Sequence, residues 1–232
     1  PTIVQNGSKL FISPHKVSYM GTNFARGMDV EEGTKIKGVD FMRCFQAQGG
    51  ENLRFLSALR MGATYPYVLP SVTLPAEPAM QVMDAALFDN FGVADAVHFL
   101  HVFRDWISKH TSGVGLVVIR NSAKEQKVKQ PEAKSLFQRL FNPLNHFHWA
   151  WFNMQDIRND DLVASANSWL DGKLIEMEFQ CAPHHGEQDE TSDAHEASLS
   201  WHLTTEEKLK ILQSIDKPSN RRSLAKLKSF LE

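Results

Sequence analysis

The sequence predicts a mixed α/β fold, and three stretches carry that prediction. Residues 93–110 repeat apolar side chains at helical spacing, with Val93, Ala96, Val97, Leu100, Phe103 and Ile107 on one face. Residues 114–119 form a short β-branched run without alternation, the pattern of a strand covered on both faces. Residues 173–180 alternate Leu174, Glu176 and Glu178 against Ile175, Met177 and Phe179, the pattern of a strand with one wet face.

The other elements follow in chain order. Residues 2–5 and 9–13 are strand runs separated by Asn6-Gly7, which favours a tight hairpin because both residues tolerate positive φ. Residues 19–38 are rich in glycine and polar side chains and read as a loop. Residues 52–61 read as a helix that buries Leu53, Leu56 and Leu59, widened by Phe55 and Ala58, and stops at Gly62. Residues 65–78 hold four of the ten prolines; proline lacks an N–H donor, so this is an extended loop. A brief strand at 81–83 runs into Asp84, and Ser112-Gly113 ends the helix that starts at Val93.

Residues 120–139 carry six basic and two acidic side chains and read as a solvated loop leading into a surface helix. Residues 145–170 are helical with an aromatic start, and 183–197 are a polar loop. Thr204 and Glu207 form a capping box, in which each residue satisfies the other's backbone N–H at the start of a helix over 204–215. A basic amphipathic helix spans 223–231.

Composition narrows the function. A chain of 232 residues suits one large domain or two small ones, since domains run to roughly 100–200 residues. The 25 basic and 27 acidic side chains leave a formal charge of −2, which gives no bulk attraction for nucleic acid. Cys44 and Cys181 do not make a disulfide framework and read as reduced, buried thiols. The longest apolar run is 114–119, far short of the about 20 residues of a spanning helix. No basic segment followed by an apolar one marks a signal peptide at the N-terminus.

Three groups of residues could carry chemistry. In 84–92, Asp84 follows a strand and precedes Ala85 and Ala86, two small residues that admit a close neighbour. Sites of α/β folds gather at the carboxyl ends of strands, although a strand-end Asp also serves simply to cap a turn. Asp89, five residues on, reads as a carboxylate that solvates the loop. The second group is His184, His185, His195 and His202, near a run of five acids in 187–196. Histidines and carboxylates bind divalent ions, but adjacent loop histidines are poorly spaced for one ion, and a solvated polar loop is the plainer reading. The third is the aromatic run 146–152, suited to a helix core first and a lipid interface second. Arg120, at a strand end, lines a pocket or closes a turn.

The segment 59–70, followed by Met83-Asp84-Ala85-Ala86-Leu87-Phe88-Asp89-Asn90, resembles the patatin-like phospholipase family. That family has a helix ending in small residues, a proline-bearing loop, then D-G-G or D-G-A with an Asn close behind. The likeness is close over 52–92; residues 9–13 and Ser200-Trp201-His202-Leu203 are similar to segments of bacterial members. Ala85 stands where the family usually has Gly.

The resemblance implies a three-layer αβα fold with a mostly parallel sheet and a Ser–Asp dyad acting on lipid esters or phospholipids, without a cofactor. Asp84 takes the place of the family's Asp, which removes the proton of the serine directly. Ala85, Ala86, Asn90 and Gly92 then shape its loop, and Tyr65 and Tyr67, with Val68 and Leu69, wall an acyl pocket. No G-x-S-x-G elbow and no glycine-rich oxyanion loop occurs in the sequence. In the family both precede the Asp segment. The expectation is therefore that residues 1–232 are the C-terminal part of an incomplete patatin-like domain, inactive alone. The implied partners are the N-terminal part of the same protein, the lipid substrate and a membrane surface met peripherally; the implied location is the cytoplasmic side or that surface. Two other readings stay open: a non-catalytic interaction domain of the same fold, and a metal-binding module built on the four histidines.

Overall fold

The computed structural model describes residues 1–21, 37–65, 69–120, 124, 136–181 and 202–232, with the backbone alone for 136–149. The chain divides into two compact units, Pro1–Arg104 and Asp105–Glu232.

The first unit starts with a hairpin, as Asn6-Gly7 predicts. Strand β1 (Thr2–Ile3) runs antiparallel to β2 (Lys9–Phe11), with Thr2 opposite Lys9. Only Gly7 takes positive φ, at 71°. Asn6 serves through its side chain instead: Oδ1 accepts from the Ser8 N–H at 2.9 Å and the Ser8 hydroxyl at 2.7 Å. Parallel to β2 lies β3 (Gly38–Asp40), which begins at the last residue of the stretch 19–38 read as a loop and which the sequence reading did not identify as a strand. Three residues are too few to show alternation. Asp40 caps helix α1 (Phe41–Phe45), accepting from Met42 N–H at 3.0 Å, while its second oxygen accepts from Val17 N–H and the Ser18 hydroxyl. Burial alone would raise the Asp40 pKa, but these donors hold it below its ordinary value.

Helix α2 (Phe55–Gly62) starts three residues later than its pattern predicts, after a 3₁₀ turn over Gly50–Asn52. Strands β4 (Val72–Leu74) and β5 (Met80–Met83) are antiparallel, and β5 also pairs with β1. Flanking prolines hide β4 in the sequence, because Pro70 and Pro75 bound it without interrupting its ladder. The single turn α3 (Ala86–Asp89) leads into α4 (Val93–Val102). The predicted helix over 93–110 breaks at Phe103 into α4 and α5 (Arg104–His110), yet its apolar positions Val93, Val97, Leu100 and Ile107 are buried as expected.

The strand order of this unit is β3-β2-β1-β5-β4. The sheet is mixed, and only β2–β3 is parallel. The mostly parallel sheet expected from the resemblance is not what these strands form. The reason is connection length: short links join β1 to β2 and β4 to β5, and a parallel neighbour needs a crossover of a dozen or more residues. Ile3, Leu10, Phe41, Phe45, Met61, Leu74 and Val82 form its core.

The second unit holds a parallel pair, β6 (Val114–Arg120) and β7 (Leu174–Gln180), connected through the long helix α6 (Leu136–Trp169). Helix α7 (Thr205–Ser214) opens with the capping box that the sequence predicts: Thr204 N–H donates to Glu207 Oε2 at 2.7 Å, and Glu207 N–H to Thr204 Oγ1 at 3.2 Å. Helix α8 (Pro218–Leu231) closes the outer edge of β7 with side chains. Asn220 both accepts from Gln180 N–H and donates to Gln180 C=O, at 2.9 Å each. The Ser223 hydroxyl and Lys226 ammonium donate to the carbonyls of Glu178 and Glu176.

Several apolar faces lie open. The helix face expected to bury Leu56 and Leu59 instead exposes them, with Phe55, and Leu56 is 77% exposed. Strand β6 is not covered on both faces, since Val117 is exposed and Ile119 is 70% exposed. Met154 and Ile157 on α6, and Leu209 and Leu212 on α7, are likewise exposed at helical spacing. Local periodicity reports that a face is apolar, not that anything covers it. The wet face expected of β7 is not simply wet either. Glu178 faces Arg120 at 3.9 Å and Lys124 at 3.6 Å. Cys44 is exposed rather than buried, and Cys181 is half-buried; both are free.

Candidate functional site

Asp84 sits where β5 ends. Its N–H donates to Thr64 C=O and the next N–H, that of Ala85, to Gly62 C=O, each at 3.2 Å. These bonds fasten the strand end to the loop that leaves α2. Thr64 is itself buried and fixed, its hydroxyl donating to Met61 C=O at 3.0 Å. On the other side, the Thr2 hydroxyl donates to Asp84 C=O at 2.9 Å. The backbone of Asp84 is thus held from two directions.

The carboxylate of Asp84 is half-buried. Oδ1 accepts from Ala86 N–H at 2.7 Å, starting α3. Among the described residues, no hydroxyl donates to it and Oδ2 makes no hydrogen bond. Asp84 therefore does cap a turn, as the plainer reading holds, but with one oxygen only. Burial raises its pKa above the ordinary carboxylate value, against the pull of the Ala86 N–H and of the Pro1 ammonium. Ala85 lies at φ −67° and ψ −26°, ordinary right-handed backbone, so the family's glycine has no conformational advantage there.

The other predicted loop residues lie on the same short path. Asn90 ends α3 in helical conformation, and Gly92 precedes α4 at φ 71°, a conformation that favours glycine. Tyr65 is half-buried, next to Thr64. Tyr67 and Val68 lie outside the described residues, as do His184, His185 and His195. His202 is exposed, and the described residues hold no group of three ligating side chains that could bind a metal ion. Of the aromatic run 146–152, side chains are described only from Ala150 on, where Trp151 is partly exposed.

Sequence reasoning missed three residues here. Asp89 is not a loop-solvating carboxylate: its side chain is 2% exposed. Asp89 Oδ2 accepts from Asp95 N–H at 3.0 Å and lies 3.7 Å from Lys9 Nζ. Lys9 is buried as well and donates to Asp95 Oδ1 at 2.5 Å, with its ammonium 4.2 Å from the centre of the Phe88 ring. A cavity of about 70 Å³ is lined by Thr2, Lys9, Ala85, Asp89 and Asp95 among others. Lys9 lies more than eighty residues from Asp95, so no local pattern could have paired them.

This arrangement offers one half-buried carboxylate, raised in pKa by burial, anchored through one oxygen and, among the described residues, without a hydrogen bond at the other. That suits proton acceptance from a group brought to Oδ2. No family model, curated protein or solved structure matches the chain.

Proposed function

We propose that the chain carries the general base of a patatin-like Ser–Asp acyl hydrolase, as the C-terminal part of a three-layer αβα domain. Its substrates are lipid esters or phospholipids met at a membrane surface. The nucleophilic serine and the oxyanion loop come from an N-terminal part of the same protein. Asp84 Oδ2 takes the proton of that serine hydroxyl as the oxygen attacks the acyl carbon. Backbone N–H groups of the oxyanion loop stabilise the tetrahedral oxyanion. As it collapses, the bond to the alcohol breaks and the alcohol leaves with the proton from Asp84, giving an acyl-serine. Water then gives a proton to Asp84 as its oxygen attacks the acyl-serine; when the ester bond breaks, the serine oxygen takes that proton back from Asp84 and the fatty acid leaves.

The observation that carries this reading is the divided Asp84 carboxylate, one oxygen fixed by Ala86 N–H and the other without a hydrogen bond among the described residues. The open apolar faces of α2 and β6 support the partner half, since large exposed apolar patches mark surfaces that another segment covers. The test is hydrolysis of p-nitrophenyl esters. The 232-residue chain alone turns nothing over, and the longer protein that includes the upstream elbow does. Turnover by the chain alone, free of host esterases, overturns the assignment.

A further inference from the structure

We propose that Lys9 is a positioning residue for Asp84. The inference rests on the reading of Asp84 as the base and adds what holds it in place. Helix α3 is a single turn of four residues, Ala86–Asp89, too short to fix its own direction. One end is tied to Asp84, whose Oδ1 accepts from Ala86 N–H. The other end is tied to Lys9. The Lys9 ammonium gathers Phe88 and Asp89 from α3 and Asp95 from the first turn of α4 around one buried charge.

Asp89 shows how much depends on that charge. Its side chain is nearly fully buried, yet Oδ1 has no hydrogen-bond partner. Without the ammonium, Asp89 would stand as a buried, uncompensated carboxylate beside Asp95. The turn would then move to reach water, and Ala86 with Asp84 would move with it. A second path runs through the sheet: Thr2 is the register partner of Lys9, and its hydroxyl donates to Asp84 C=O. Strand β2 thus sets both the far end of α3 and, through β1, the backbone of Asp84 itself.

Amide hydrogen exchange on the 232-residue chain tests this. Lys9→Met should speed exchange of the Ala86 and Asp95 N–H groups by roughly tenfold relative to Val82 in the core strand, and Lys9→Arg should restore protection. If Lys9→Met loosens Val82 equally, Lys9→Gln, which keeps one hydrogen bond to Asp95, is judged by the same ratio. In the longer protein, kcat should fall roughly tenfold or more for Lys9→Met with KM nearly unchanged, since misplacing a reacting group lowers turnover rather than binding. Unchanged Ala86 exchange in both variants, or full kcat for Lys9→Met while Asp84→Asn is inactive, overturns the role of Lys9 alone. Activity surviving in Asp84→Asn overturns the base assignment instead.

Discussion

Asp84→Asn lowers kcat/KM of the longer protein by about 10²–10⁴, the usual worth of a positioned general base. The amide keeps the shape of the side chain, and its oxygen can still accept from Ala86 N–H, so α3 still starts at the same place. What it loses is the ability to take a proton. The melting temperature should therefore hold. Burial raises the Asp84 pKa in the folded state, so any stability linked to its proton is present at low pH and lost as pH rises through the folded value. At neutral pH the ionised, half-buried carboxylate opposes folding slightly, and the neutral amide does not. The same raised pKa fixes the acid limb of the rate profile. Activity falls as pH drops and Asp84 protonates, with the inflection above the ordinary carboxylate value of about 4. An inactive variant that has also unfolded would make Asp84 structural. Asp89→Asn is not a neutral control, because Asp89 is buried against Lys9; the exposed Glu51→Gln is.

Asp156→Ala destabilises the second unit by about 3 kcal/mol, the low end for breaking a buried ion pair. Arg120, 4% exposed, donates to both oxygens of Asp156, at 2.8 and 2.6 Å. This is where the strand-end Arg120 of the sequence belongs, in an ion pair between β6 and α6. Removing Asp156 takes both of these charge-assisted bonds from a buried guanidinium, whose Nε stands 3.9 Å from Glu178. Thermal unfolding should show a loss of roughly 10 °C for this unit. Arg120→Met with Asp156→Leu should recover most of it, since apolar replacement of both partners leaves no buried charge. Equal melting of Asp156→Ala and the parent chain would mean the pair contributes nothing.

Local chemistry made part of this fold readable. Thr204 and Glu207 announce α7 because a capping box needs only residues three apart. The strand leading into Asp84 and the small residues after it are contiguous, and so is the periodic stretch that became α4 and α5. The rest depends on residues far apart in sequence. Lys9 meets Asp89 and Asp95 only because β2 lies beside the α3 turn. Glu176 and Glu178 alternate like a solvent face, yet the Glu178 carboxylate lies 3.9 Å from Arg120 and 3.6 Å from Lys124. Leu56 and Leu59 have the spacing of a buried face but remain exposed, and amphipathic spacing cannot tell a filled interface from an open one.

The measurement closest to the central claim is labelling of the longer protein with a serine-directed fluorophosphonate, followed by mapping of the modified residue. The expected result is one modified serine upstream of residue 1, no modified serine within residues 1–232, and labelling slowed in Asp84→Asn in step with its loss of kcat/KM. A label on a serine of this chain, or Asp84→Asn labelled as fast as the unmodified protein, would contradict it.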